Sequence, residues 1–443
     1  MKNNFEKYYQ AVKYLESLPN ISQPDYMAVP TRRDGRSLFL KRFKYFLNLL
    51  GNPQKDLKYI HVGGSSGKGS VAMMIHSILT EAGYKSGVYT SPYSTTPIEK
   101  IKVGNLLIGP DEFVGILEKI KPAIDKSYQQ SPYGRPSWFE IYTAIAIIYF
   151  KQKKCDYAVL EVGLGGRYDA TNIIPAPVIT IINVIDYDHV DLLGKTLTKI
   201  ALEKAAIIKP KTKFFTTDTN SKKVLKIFKQ ACKAKKAEFN LVKSPTKKYQ
   251  LSLLGEHQQK NAEIAKAACR RLGIPENKIR LGLQKAKMPC RIEIIQKNPL
   301  VILDGAHNPS KMKTLVETLK NLNLSNHQRV KKLTYKKLYL IIALTNERSA
   351  TQIFKEIQLL ADYLFITRYE STLRKCYPPL QLTKKLKSKK PTEIFLDPYM
   401  ALQKAMKLAK KNDLILVTGS FYLAGELRKY WRSEEKILLE RKI

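Results

Sequence analysis

The chain has 443 residues, 44% of them apolar, and a formal net charge of +39. A chain of this length and composition is not one small domain or a disordered tail; it has core enough for two or three domains of roughly 100–200 residues each. The charge would suit a polyanionic partner, but apart from runs at Lys233–Lys236, Lys331–Lys332 and Lys384–Lys390 the lysines are scattered, which favours a solvated face over a nucleic-acid surface.

The five cysteines are odd in number, widely separated and without a CxxC pair, so neither a disulfide framework nor a zinc cluster is indicated. A reducing cytoplasm fits them. No apolar leader is read at the N-terminus, and the most lipophilic stretch, Ile141 to Phe150, is too short to span a bilayer.

Along the chain, the first strong signal is the strand-like run Leu57–Val62, followed by Gly64-Ser65-Ser66-Gly67-Lys68-Gly69-Ser70 and a helical pattern (Val71, Met74, Ile75, Ile78, Leu79, Ala82) that stops at Gly83. A small-residue elbow with a lysine at a helix start is how a phosphate cradle is built. Backbone N–H groups close on phosphate oxygens, the helix terminus adds partial positive charge, Lys68 a full one, and Ser70 can meet a magnesium ion. Further strands are predicted at Ser86–Thr90, Tyr157–Val162 and Val178–Val184, with helices over 111–130, 139–151 and 196–209. Continuous apolar strands separated by amphipathic helices imply a parallel sheet covered on both faces. A second series runs Leu300–Leu303, Leu338–Leu344, Tyr363–Thr367, Glu393–Leu396 and Leu414–Thr418, after a boundary near Met288–Arg291. Two α/β domains facing each other across a cleft follow, divided as 1–293 and 294–443.

Polar residues at strand ends carry the chemistry, since ligands of open parallel sheets gather at the carboxyl ends of the strands. Glu161 ends one strand and can reach a magnesium held on nucleotide phosphates, or simply pair with Arg167. His189 lies past the next strand among Asp186, Asp188 and Asp191, and Lys204 sits in an otherwise apolar helix where an ion-paired lysine is the ordinary reading. In the second domain Asp304 and His307 follow Leu303, and Thr418-Gly419-Ser420 follows the last strand. Arg291 at the hinge can reach phosphate or ribose. Each of these also reads as a helix cap or a surface residue.

Taken together, from about residue 35 to residue 430, the motifs resemble in content and order those of the folylpolyglutamate synthase/dihydrofolate synthase family of the Mur ligase superfamily. The resemblance rests on Lys41-Arg42-Phe43 through Gln54, the phosphate loop His61–Val71, Thr90-Ser91-Pro92, the stretch Glu161–Asn172, Asp188–Gly194, Glu203-Lys204-Ala205, Gly255–Asn261 and Asp304–Pro309. It implies a phosphate-loop ATPase domain with a parallel sheet followed by a smaller Rossmann-like domain. The implied activity is ATP-dependent, ADP-forming ligation of L-glutamate to a folate or dihydropteroate carboxylate through an acyl phosphate.

The same resemblance implies the site residues. Nucleotide falls to Ser66, Gly67, Lys68, Gly69, Ser70, Asn261, Arg291 and Asp304. Two magnesium ions fall to Ser91, Glu161, His189 and a carbamylated Lys204, and substrate to Asp169, His307 and Ser420, with Lys68, His189, Lys204 and His307 in catalysis. A monomer is expected, with no membrane or nucleic-acid partner. After Ser91-Pro92 the family's His and Asn-Glu-Arg character gives way to Tyr93-Ser94-Thr95-Thr96-Pro97-Ile98-Glu99-Lys100-Ile101. That loop helps form the pterin-side pocket in relatives, which leaves a Mur-type ligase acting on a cell-wall precursor as the alternative; a non-catalytic, nucleotide-regulated nucleic-acid binder is a second, supported by charge alone.

Overall fold

The computed structural model describes residues 5–18, 33–324, 335–346, 348–371 and 375–442; the Lys331–Lys332 run lies outside the described residues. Eight strands form the first sheet: β1 (Tyr59–Gly63), β2 (Ser86–Tyr89), β3 (Ile101–Val103), β4 (Leu106–Leu107), β5 (Tyr157–Glu161), β6 (Ile179–Ile182), β7 (Lys213–Thr217) and β8 (Glu238–Val242). Their spatial order is β4-β3-β2-β5-β1-β6-β7-β8. Central β1 pairs in parallel with β5 and β6, setting Val62 beside Glu161 and Gly63 beside Ile182. It is buried along its whole length, as a strand covered on both faces must be.

One face of this sheet carries helices Glu6–Ser17, Pro110–Gln130 and Trp138–Gln152, whose Tyr8, Leu15, Phe113 and Ile145 share one core. The other carries Lys68–Glu81, Glu256–Arg271 and Glu276–Lys285, through Val71, Ile75, Ala265 and Leu283. The second sheet has β9 (Glu293–Lys297), β10 (Leu300–Leu303), β11 (Leu338–Ile342), β12 (Tyr363–Ile366), β13 (Thr392–Ile394) and β14 (Leu414–Thr418), in order β13-β12-β11-β14-β10-β9. All its pairings are parallel except the antiparallel β9 edge. Two mostly parallel α/β sheets are what the alternating apolar runs predict.

Three differences have physical causes. The helix expected over 196–209 ends at Ala205; Ile207 and Ile208 donate in tighter turns to Lys204 and Ala205 carbonyls, and Lys209 precedes Pro210, whose ring disfavours helix in the residue before it. The hairpin of β3 and β4, turned at Gly104 with φ 56°, and strands β7 and β8 were not expected, because the hairpin strands are three and two residues long and β7 and β8 mix polar with apolar residues. Finally, helix Glu434–Glu440 returns from the second lobe to insert Ile437 and Leu438 into the first lobe's core.

Candidate active site

The glycine-rich elbow leaves β1 and enters helix Lys68–Glu81. Gly67, with φ 75°, is the residue before that helix, and a Cβ on it would lie 2.3 Å from Asn183 Nδ2 and 2.5 Å from Asn261 Oδ1. Only glycine meets both demands. The two asparagines are themselves bonded at 2.7 Å, and Asn261 continues through Gln258 (2.9 Å) to the Ser70 hydroxyl (3.2 Å). Ser65 exchanges hydrogen bonds with the Asp186 backbone at 2.8 and 3.0 Å, so it ties the loop to the segment beyond β6.

Glu161, at the end of β5, accepts from the Ser91 backbone N–H at 3.0 Å. Its carboxylate also lies against the phosphate loop, because a Cβ on Gly69 would sit 3.2 Å from Oε2. Burial raises its pKa, opposed by Lys68. Beside it, Asp188 stands 3.7 Å from His189 Nε2 and 3.8 Å from Lys204 Nζ, and Lys204 donates to the Gly64 carbonyl at 3.0 Å. Burial first, then the charge of Lys68, lowers Lys204 to about 7, and burial lowers His189 to about 4, leaving its imidazole neutral. Among the described residues no three His, Cys, Asp or Glu side chains gather as a ready-made metal cage. A hydroxyl and a carboxylate beside a phosphate cradle instead suit a hard cation that draws its remaining ligands from phosphates and water.

From the second lobe, the buried Asp304 accepts from the Ile292 and Ala306 N–H groups at 2.9 and 2.8 Å, so it fixes the hinge. Arg291 stacks over Phe421 with its guanidinium 4.8 Å from the ring centre. His307 Nδ1 bonds the Gly305 carbonyl at 2.7 Å, so it carries the proton, and Nε2 accepts from Lys311 Nζ at 3.1 Å. Arg348 donates to the His307 carbonyl at 3.1 Å. Lys311 was not singled out in the sequence; its signal was its place four residues after His307 at a helix start. Ser420 caps helix Phe421–Arg428 through the Tyr422 N–H. Asp169 accepts from the Leu164 and Thr171 N–H groups at 2.8 and 3.0 Å.

These residues line two cavities. One, of about 290 Å³, is bounded by Ser66–Ser70, Glu161, Asp188, Asn261, Arg291, Asp304 and Lys311. The other, of about 420 Å³, is bounded by Lys100, Trp138, Phe139, Asp169, Arg348 and Ser420. Ser91, Gly163, His189, His307 and Phe421 line both, so the two join there.

Residues 62–269 match the family described as Mur ligase middle domain, and residues 290–421 match that described as Mur ligase, glutamate ligase domain. Fold and site thus define a two-domain Mur-type ligase. Over 424 residues the chain is 30% identical to the dihydrofolate synthase/folylpolyglutamate synthase of Bacillus subtilis, covering 88% of this chain and 94% of that one. The chain belongs to the folylpolyglutamate synthase/dihydrofolate synthase family. Its fold is similar to the crystal structure of folylpolyglutamate synthase from Thermotoga maritima, with 30% identity and a TM-score of 0.79 over 99% of both chains. It is also similar to Escherichia coli FolC in complex with DHPP and ADP, with 25% identity and a TM-score of 0.78 over 96% of this chain and 97% of that one.

Proposed function

We propose that this chain is an ATP-dependent, ADP-forming ligase that adds L-glutamate to a folate or dihydropteroate carboxylate through an acyl phosphate. The observation that carries this is the junction of a cavity lined by the glycine-rich loop with an aromatic one at Ser91, His189 and His307. A phosphoryl donor in one and a carboxylate acceptor in the other meet there.

ATP lies with its phosphates on Ser66–Ser70, where Lys68 and the helix N-terminus offset their charge, and Asn261, Arg291 and Asp304 complete the nucleotide side. Ser91 and Glu161 would hold one magnesium, and His189 with a carbamylated Lys204 a second. Such ions neutralise the terminal phosphates and the group in transfer. At about 7, Lys204 spends part of its time as the neutral amine that carbamylation requires. The acceptor carboxylate attacks the γ-phosphorus and ADP leaves. The L-glutamate amine then attacks the acyl carbon and phosphate departs. His307, held neutral between Gly305 and Lys311, and Ser420 position the amino acid, and Asp169 contacts the acceptor.

Closure of lobe 294–443 over lobe 1–293 shields the acyl phosphate from water. No helix among the described residues is long and apolar enough to cross a membrane, and five unpaired cysteines suit the reducing cytoplasm. ADP release screened against dihydropteroate, tetrahydrofolate and cell-wall precursors, each with a panel of amino acids, tests the reading. Release that depends on L-glutamate and a folate-type acceptor supports it; release with a cell-wall precursor alone, or none, overturns it.

A further inference from the structure

Two buried donors on the aromatic cavity stand out. Lys100 Nζ and Trp138 Nε1 each lack a hydrogen-bond partner among the described residues. Lys100 is 1% exposed, and its ammonium sits 4.1 Å from the Trp138 ring centre, 4.2 Å from that of Tyr142 and 5.4 Å from that of Tyr93. Both residues line the cavity of about 420 Å³ but not the nucleotide cavity, so they lie off the junction.

The fold holds both in place. Lys100 ends a tight turn, Pro97–Lys100, whose Glu99 carboxylate accepts from the Ser94 and Thr95 N–H groups at 2.8 and 2.9 Å. Trp138 opens a helix that Ser137 and Glu140 cap reciprocally. The Glu16 carboxylate, which Lys100 feels electrostatically, accepts instead from the Tyr93 hydroxyl at 3.3 Å. Ring faces attract the ammonium, yet they leave its N–H groups and the indole N–H unmet, a costly arrangement in a dry pocket. An apolar side chain would fill the same space without that cost. Flat aromatic walls with two donors waiting for an acceptor atom describe a site for a planar ligand that brings one.

We infer that Lys100 and Trp138 form the recognition pair for a ring carbonyl oxygen on a flat, fused heterocyclic head of the acceptor, and so set which acceptors are used. This rests on the carboxylate-ligase reading above. Burial lowers Lys100 to about 7, and the amine can donate to a carbonyl in either protonation state.

The test uses the full chain, its Lys100→Met and Trp138→Phe variants, and two pteroate acceptors that differ only in a 4-oxo or a 4-amino group. Calorimetric affinity and kcat/KM for L-glutamate-dependent ADP release are both measured. For the oxo acceptor Lys100→Met should lose about 10- to 100-fold in each, and Trp138→Phe about threefold to tenfold. For the amino acceptor the ratio of wild type to Lys100→Met should fall well below that for the oxo acceptor, because the amino group offers Lys100 a donor in place of the carbonyl acceptor. Lys100→Met should also melt no lower than wild type, whereas a structural lysine would lower the midpoint and depress both acceptors alike. Equal oxo affinity in wild type and Lys100→Met, equal losses on both acceptors, or failure of wild type to bind either one overturns the pair. Lys100-dependent oxo binding without ADP release supports the pair and removes the ligase reading.

Discussion

Glu161 and Lys204 are buried, and Lys311 half-buried, around the phosphate loop, and in each case desolvation is the largest influence, pushing the pKa toward the neutral form. For Glu161 the counterweights are Lys68 and the Ser91 N–H, and a bound cation would add to them in favouring the carboxylate. Glu161→Gln keeps the shape and removes that charge; kcat for glutamate-dependent ADP release should fall about 10²–10³-fold, and an unchanged kcat would remove Glu161 from the metal. Lys100 gives a stability prediction with a definite sign. Its pKa falls from 10.5 to about 7 on folding, so between those values the unfolded chain binds more protons and stability rises with pH. Replacement by Met removes the cost of the buried charge, so the variant should be the more stable by a few kcal/mol (order of magnitude) near pH 6. That advantage should shrink as pH climbs toward 10.5, as melting midpoints over the range would show; a pH-independent difference would mean Lys100 is not titrating as a buried amine. The phosphate loop was legible because it is a local motif. Lys100 was not, because nothing near it in sequence announces that distant elements bury it, and Lys311 offered only its spacing from His307.

Helix Trp138–Gln152 places Trp138 on the acceptor cavity, and its start is a reciprocal Ser137–Glu140 box. The Ser-x-x-Glu spacing is readable in sequence. Its third member is not: Arg42, 98 residues away, forms a two-pronged contact with the Glu140 carboxylate at 2.9 Å from both Nε and Nη2. Glu140 is 3% exposed, so Arg42→Met leaves a buried carboxylate with its Ser137 hydrogen bonds but without its countercharge and should destabilise the fold by about 3–5 kcal/mol. Adding Glu140→Gln should recover much of that loss, and urea unfolding of the single and double variants measures both. Additive losses would mean that the pair is not coupled. The same contrast runs through the sheets. Strands such as β1 and β14, buried end to end, write themselves as apolar runs, whereas β7, β8 and the β3–β4 hairpin are short or mixed in polarity and depend on neighbours for their pairing. Among the site elements, the strand ends carrying Glu161 and Asp304 were therefore legible, whereas the acceptor wall at 93–101 was legible only through the family resemblance and the β3 strand behind it was not.

Besides the return of helix Glu434–Glu440, the two lobes meet at a crowded contact between helix Phe421–Arg428 and the Tyr93–Ile101 loop. Arg428, 1% exposed, reaches from that helix to Glu293 at 3.0 Å and to Glu99 at 3.5 Å, and Glu99 in turn holds the Ser94 and Thr95 N–H groups. The loop that walls the acceptor cavity is thereby fastened to the lobe that carries His307 and Ser420. Gly425 makes this approach possible: a Cβ there would lie 1.9 Å from the Ser94 carbonyl oxygen, and backbone cannot yield as a flexible side chain can. Its own conformation is helical, so Gly425→Ala is harmless to the helix and acts only on the docking. The helix must then withdraw by about an ångström or more, and displacement of that size at a reacting centre costs about 10²-fold in rate. Gly425→Ala should lower kcat by that factor while ADP affinity stays within a few-fold, because the phosphate loop belongs wholly to the first lobe. Titration with ADP and steady-state turnover separate the two effects: a normal kcat would mean that this docked arrangement is not the one in which the acyl group is transferred, and lost ADP binding would mean that the second-lobe residues on the nucleotide cavity, Asp304 and Lys311 among them, carry much of the affinity.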